Sequence, residues 1–152
     1  MRNNTQPRSQ LSEARQKGFF NIGDASAISG VSAKMIRHYE QIGLIPAANR
    51  TFANYRIYSE ADVHTLKFIK RARLLGFSIQ QISVLLSLWQ DKARSSAEVK
   101  RLALEHAAEL ENKIRELQAM SNEIKRLAEY CHGDHRPDCP ILDKLALDEL
   151  EK

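Results

Sequence analysis

The two cysteines of this 152-residue chain are the residues best suited to bind a metal ion. Cys131 and Cys139 flank a loop that also contains His132 and His135. A disulfide between the two cysteines is geometrically possible, but a reducing cytosol would make it transient. Zinc could use both thiols and a histidine, although it prefers about four ligands and no closely spaced Cys pair is present. Two thiolates are enough for a soft monovalent ion such as Cu(I), so the spacing alone leaves zinc and a monovalent ion open.

A second set of side chains is suited to contact with nucleic acid. It combines cationic, aromatic and hydrogen-bonding groups in two clusters of the N-terminal half. We expect the first cluster to read and grip a major groove and the second to clamp backbone phosphates. The first cluster contains Lys34, Arg37, His38 and Tyr39, and the second contains Arg50, Tyr55 and Arg56.

Hydrophobic spacing and turn residues predict the elements that carry the nucleic-acid set. A short helix is expected over Ile22–Ile28 and a second helix from the N-cap Ser32 to about Ile42, with Gly30 in the turn between them. Two such helices form a helix-turn-helix. The stretch after it, with Asn54 at a turn, predicts a small β-wing. Two more helices are expected between residues 59 and 89.

A long helix is predicted over residues 95–130, which contain no Gly or Pro. Apolar residues recur every seven positions, which is typical of a two-stranded coiled coil, antiparallel or parallel. The chain has no second long helix to act as the partner, so we expect a homodimer. The repeating positions are Ala103, Leu110, Leu117 and Ile124.

Charge is unevenly distributed along the chain. Residues 1–92 carry 13 Lys+Arg against 6 Asp+Glu, whereas residues 93–152 carry 10 against 13. A basic front half indicates a polyanionic partner. No run of about 18 apolar residues predicts a membrane span, and residues 1–17 lack the apolar core of a secretory signal, so we expect a cytoplasmic protein. The expected organisation is a flexible tail (1–18), a DNA-binding domain (19–92), a dimerisation helix (93–130) and a metal-binding loop with a short C-terminal helix or tail (131–152).

Several motifs resemble the MerR family of transcriptional regulators over residues 20–145. They are Asn21–Asp24, Ser29–Arg37 with Tyr39-Glu40, Gly43–Pro46, Arg50-Thr51 and Tyr55-Arg56-x-Tyr58. Within that family, Cys131-x7-Cys139 followed by Pro140-Ile141 is similar to the copper-efflux regulators. Family members that sense divalent ions usually carry a Cys at the start of the dimerisation helix, where this chain has Ser96. Two departures are Asn54, where Gly is usual, and His38, where Tyr or Phe is common.

The resemblance implies a fold class and a function. The fold is expected to be mainly α, with a winged helix-turn-helix DNA-binding domain, a long antiparallel coiled-coil dimerisation helix and a C-terminal metal-binding loop. The function is a non-enzymatic activator of copper-efflux or resistance genes that binds Cu(I), or Ag(I) or Au(I), through Cys131 and Cys139, with Ser96 setting metal selectivity. Its implied partners are double-stranded promoter DNA, which it would distort, RNA polymerase and a second copy of the chain, with no membrane. The alternative is a MerR-type sensor of a divalent metal such as zinc, or of oxidative stress, that uses the same cysteines.

Overall fold

The computed structural model describes residues 7–131, 133, 135 and 137–147. These residues form a mainly helical fold, as the sequence predicts, and divide into two compact units, Met1–Ser95 and Ser96–Lys152. The elements follow one another as α1 (Pro7–Gln16), α2 (Ile22–Ser29), α3 (Ala33–Gln41), β1 (Asn49–Arg50), β2 (Arg56–Ile57), α4 (Glu60–Leu74), α5 (Ile79–Gln90), α6 (Ser96–Tyr130) and α7 (Pro140–Ala146).

Helices α2 and α3 form the predicted helix-turn-helix, and side chains cap both helices. The Asn21 side chain accepts a hydrogen bond from the Asp24 N–H, and Ser32 accepts one from the Met35 N–H. Gly30 ends α2 in the left-handed conformation (φ 74°), which glycine adopts without a Cβ penalty. The Nζ of Lys70 on α4 donates to the Gly30 carbonyl at 2.8 Å, so the turn is tied to the next helix.

The predicted wing is a short antiparallel hairpin of β1 and β2, with Arg50 paired to Arg56. Asn54 takes the left-handed conformation at the tip (φ 69°), as its place in the turn predicts. At the base of the hairpin, Phe20 and Tyr58 exchange two backbone hydrogen bonds, of 2.8 and 2.7 Å. The wing is therefore joined to the chain that enters α2.

Apolar residues from α2, α3, α4, α5 and the segments between them form one core. Helix α4 starts with a capping box, in which Ser59 and Asp62 each bond the other's backbone N–H. Its last residue, Leu74, is exposed, because it lies five positions after the buried Ile69 and so turns to a different face. Ala72 faces the core instead, because it lies three positions after the buried Ile69 and so returns to the same face. The core residues are Ala25, Val31, Ile36, Tyr39, Ile45, Tyr58, Val63, Leu66, Ile69, Ala72, Ile82 and Leu86.

The N-terminal segment differs from the flexible tail that the sequence predicts. Residues 7–16 form helix α1, which begins at Pro7, a residue favoured at the first helical position. The prediction of a tail rested on polar composition, but Ala14 is buried against the first unit and the Phe19 N–H donates to the Ala14 carbonyl at 2.9 Å. This tertiary contact compensates for the marginal stability of so short a helix.

The second unit consists of α6 and α7. Helix α6 has 35 residues and is therefore about 52 Å long. Large apolar side chains on it are exposed in the single chain, among them Ile114, Leu117 and Ile124, each 64 % exposed. Helix α7 packs against α6. In the described part of the chain, no helix is both long enough and apolar enough to cross a membrane.

Candidate DNA interface and thiol loop

Helix α3 divides into a buried face and a cationic exposed face. Ile36 and Tyr39 lie in the core, whereas Lys34, Arg37 and His38 are exposed. Tyr39 was expected to grip DNA, and its position corrects that expectation, because only 5 % of the residue is exposed. The physical reason is helical periodicity, since a residue three positions after the buried Ile36 returns to the same face. The exposed cations remain free of the core.

A largely buried carboxylate connects α3 to the wing. One oxygen of Glu40 accepts a hydrogen bond from the Ala48 N–H at 3.1 Å, and the other accepts one from the Tyr58 hydroxyl at 3.3 Å. The Nε of Arg56 lies 3.3 Å from the same oxygen as the Tyr58 hydroxyl, an ion-pair contact without hydrogen-bond alignment. Glu40 thus connects α3 to two other segments of the first unit, the chain before β1 and the segment of β2 and Tyr58.

This ion pair corrects the expected role of Arg56. The sequence predicts a phosphate donor, but the side chain is only 33 % exposed and its Nε is turned inward to Glu40. A guanidinium has five N–H donors, so an inward Nε still leaves the terminal nitrogens for other partners. The main effect of Arg56 in the structure is to fix strand β2 against α3.

The phenol of Tyr58 is held in its neutral form. Burial raises its pKa to about 12, and the negative charge of nearby Glu40 acts in the same direction. A neutral phenol can donate to the Glu40 carboxylate over the whole physiological pH range. The phenol in the contact between α3 and the base of the wing therefore stays protonated near pH 7.

The exposed side of the wing carries the other predicted phosphate contacts. Arg50 is exposed, and its Nη1 donates to the Asn54 carbonyl at 3.2 Å. Tyr55 is 43 % exposed, and its N–H donates to the Thr51 hydroxyl at 3.1 Å. Arg50 and Tyr55 therefore lie on the surface of a hairpin whose turn is held by its own side chains.

The two thiols lie at the ends of the loop that follows α6. Cys131 comes directly after α6, and its N–H donates to the Ala128 carbonyl at 3.1 Å. Cys139 is the N-cap of α7, and its side chain makes no capping hydrogen bond, so the cap leaves the thiol free to act as a ligand. Both cysteines are unpaired and partly buried. His132 lies outside the described residues, and His135 is exposed.

The metal donors of the described residues do not form a larger cluster. Among residues 7–131, 133, 135 and 137–147, no group of three or more His, Cys, Asp or Glu side chains could hold a metal. Ser96 is the first residue of α6 and is exposed, so the position at which the family resemblance suggests a thiol in sensors of divalent ions carries a hydroxyl in this chain.

Sequence reasoning missed two residues that hold the candidate DNA interface together. Glu40 was seen only as part of a motif, and its partners in the wing come from 8 to 18 residues further along the chain. Gln10 was placed in a tail, yet its side-chain oxygen accepts a hydrogen bond from the Ala53 N–H at 2.9 Å. No local sequence pattern indicates that this polar helix packs beside the wing, because Gln10 and Ala53 are 43 residues apart in the chain.

Comparison with known proteins identifies the family. Residues 20–88 match the family described as "MerR HTH family regulatory protein", and residues 63–127 match "MerR, DNA binding". The HTH-type transcriptional regulator HmrR of Sinorhizobium medicae is 61 % identical over 126 residues, which cover 83 % of this chain and 86 % of that protein. The heavy metal-dependent transcription regulator 2 of Rhizobium meliloti is 60 % identical over 126 residues, with the same coverage of 83 % and 86 %.

A solved structure supports the same assignment. The transcription regulator PbrR691 from Ralstonia metallidurans, in complex with lead(II), superposes with a TM-score of 0.73 at 31 % identity, and the match covers 84 % of this chain and 99 % of that one. Fold, helix-turn-helix and sequence similarity thus agree over residues 20–127. The chain belongs to the MerR family of helix-turn-helix transcriptional regulators.

Proposed function

We propose that this chain is a homodimeric, metal-responsive activator that binds Cu(I), and also Ag(I) or Au(I), through Cys131 and Cys139. The observation that carries the proposal is the pair of free, partly buried thiols, one directly after α6 and one at the N-cap of α7. Soft thiolates select soft ions, and two of them complete a linear site. The genes it would activate are those of copper efflux or resistance.

The relatives support a metal effector. One of them is named a heavy metal-dependent transcription regulator, and a structural relative was solved with lead(II). Lead is divalent, which keeps a divalent effector as the alternative. Ser96 argues against that alternative, because a hydroxyl at the start of α6 replaces the thiol that a divalent ion would need as a third ligand.

The first unit would bind promoter DNA. Lys34, Arg37 and His38 form the exposed face of α3, which suits entry into a major groove. Arg50 and Tyr55 would clamp phosphates beside it. Arg56 would hold β2 on α3 through its contact with Glu40. Only its terminal nitrogens would be available to contact a phosphate.

The apolar side chains on α6 support dimerisation with a second copy. A dimer of two DNA-binding units implies a palindromic operator. The dimer would bend and untwist the promoter so that RNA polymerase can engage it, with the cost of DNA deformation setting the balance between repression and activation. An ion bound by both thiols in the loop between α6 and α7 would shift the equilibrium between the repressing and the activating dimer. Because promoter DNA is the target, the site of action would be the cytoplasm.

The metal assignment can be tested with the reduced protein. We expect one Cu(I) per chain in a titration against a competing Cu(I) chelator, and loss of tight uptake in both Cys131→Ser and Cys139→Ser. In vitro transcription at buffered concentrations should show activation by Cu(I) and not by Zn(II). Activation by Zn(II), or by hydrogen peroxide without metal uptake, would contradict the proposal in favour of the alternative sensor.

The DNA assignment has its own test. Arg37→Ala should weaken binding of the promoter fragment and reduce the salt slope by about 1, as expected for one lost phosphate or base contact of a cation. The control is Arg115→Ala on α6, which removes the same charge from the second unit and should bind with wild-type affinity. Unchanged binding by Arg37→Ala at moderate salt would contradict the assignment of α3.

A further inference from the structure

The tip of the wing carries an aromatic ring that the DNA contacts described above do not use. Phe52 is 95 % exposed, the highest value among the exposed large apolar side chains of the described residues. It lies between Arg50 and Tyr55, the proposed phosphate contacts. Single exposed apolar residues are common on protein surfaces, so exposure alone does not indicate a function.

The backbone around this ring is tightly held within the hairpin. The Asn54 N–H donates to the Thr51 carbonyl at 2.8 Å, and the Tyr55 N–H donates to the Thr51 hydroxyl at 3.1 Å. The Arg50 guanidinium donates to the Asn54 carbonyl at 3.2 Å. These bonds define the turn and leave the Phe52 ring directed to solvent.

Helix α1 holds the tip from outside. The side-chain oxygen of Gln10 accepts a hydrogen bond from the N–H of Ala53, the residue next to Phe52, at 2.9 Å. Helix α1 is itself anchored, because Ala14 is buried and the Nε of Arg15 lies 3.7 Å from a carboxylate oxygen of Asp24 on α2. The part of the chain matched by the family model starts at residue 20, so α1 lies before it.

We propose that α1 braces the wing tip so that Phe52 packs against the deoxyribose face of the operator backbone, next to the phosphates bound by Arg50 and Tyr55. The ring has no hydrogen-bond donor, so it suits the apolar sugar face rather than a phosphate. Apolar side chains of other proteins also contact DNA, although those inserted from the minor groove enter between base steps. A hairpin with two residues per strand is marginally stable alone, so an external brace lowers the cost of ordering it on DNA. This inference rests on the proposed DNA binding by the wing.

The test uses full-length protein and a DNA duplex selected by the wild-type chain from a random-sequence pool. Phe52→Ala should weaken binding by about three- to tenfold, as expected for partial burial of an aromatic ring, with an unchanged salt slope. Gln10→Ala should weaken binding by about two- to fivefold, the size of effect of one lost ordering contact. The double variant should bind more tightly than the sum of the two separate losses predicts, because part of the effect of the brace is carried by the ring.

The double-mutant cycle separates this role from a purely structural one. All three variants should show wild-type uptake of Cu(I), and urea unfolding should show how much each substitution affects folding. Wild-type affinity in Phe52→Ala would overturn the inference. So would a loss from Gln10→Ala that is as large in the Phe52→Ala background as in the otherwise wild-type chain. Failure of the proposed function would give a different result, because the wild-type chain would then select no duplex from the pool.

Discussion

A single carboxylate organises the DNA-binding unit at the residue scale. Glu40 follows the exposed cations of α3 and contacts Ala48, Arg56 and Tyr58. Removing one partner of a buried ion pair costs more than the pair itself contributes, because the remaining charge has no compensation. We infer that Glu40 sets the position of the wing relative to α3. Its effect on DNA binding would be indirect, through the spacing between the wing and α3.

The raised pKa of Tyr58 predicts how stability depends on alkaline pH. The folded pKa is about 12 and the ordinary value is 10.0, so the folded state holds the phenolic proton more tightly than the unfolded state. The resulting stability is complete below pH 10 and is lost as the pH rises through 12. Urea unfolding at several pH values should show a loss of up to about 3 kcal/mol over this range.

Tyr58→Phe provides the control for that measurement, because it retains the buried ring and removes the ionisable hydroxyl. Its stability should decline less between pH 10 and 12 than that of the wild type. Lysines titrate in the same range in both proteins, so the difference between the two curves isolates Tyr58. Identical curves would contradict the assignment of the shift to this residue.

At the scale of elements, short helices and turns depend on caps. Helices α2, α3, α4 and α5 each begin with a side chain that accepts a backbone N–H, and α2 ends at Gly30. An N-cap contributes about 1 kcal/mol, which is significant for helices of 8 or 9 residues such as α2 and α3. The position of α3 therefore follows from local chemistry at both ends of the turn.

Gly30→Ala should destabilise the first unit more than Gly43→Ala. Both glycines are left-handed, with φ of 74° and 76°, so an added Cβ costs about 1 kcal/mol at either position. At Gly30 the Cβ also collides with the Lys70 side chain that caps α2, whereas at Gly43 it meets no atom within 4 Å. Urea unfolding of both variants measures the difference, and equal losses would show that the Lys70 contact contributes nothing.

At the scale of the whole molecule, the exposed apolar side chains of α6 are the surface that the proposed dimer would bury. Its large side chains are too exposed for a helix that functions alone, and burying them would stabilise a dimer by about 25 cal/mol per Å².

Membership of a family of transcription regulators also confirms the prediction that the chain is not an enzyme.

Leu117→Glu should dissociate the proposed dimer. A carboxylate in an apolar seam lacks a partner and costs roughly 3–5 kcal/mol. The matched control is Ala119→Glu, which adds the same charge about 200° around the helix, since each residue turns about 100°. Sedimentation equilibrium should give a monomer for Leu117→Glu and a dimer for Ala119→Glu. A dimer in both would place the interface elsewhere.

Local signals in the sequence determined most of the fold. The cap at Ser32, the glycine at position 30 and the wing turn at Asn54 are short-range signals, so they could be predicted and are confirmed. The absence of Gly and Pro from residues 96–130 determined helix α6. The metal ligands and the DNA contacts stay predictions, because side-chain chemistry indicates a ligand class without testing it.

Only the tertiary structure decided which of those side chains face solvent. Tyr39 and Arg56 have the chemistry of DNA contacts, yet one is buried by helical periodicity and the other is held by Glu40. Residues 7–16 form a helix because the Ala14 contact and the bond from Ala53 to Gln10 stabilise it, and neither is visible in its polar composition. Contacts between residues far apart in sequence carry no local pattern, and their free energies decide marginal elements.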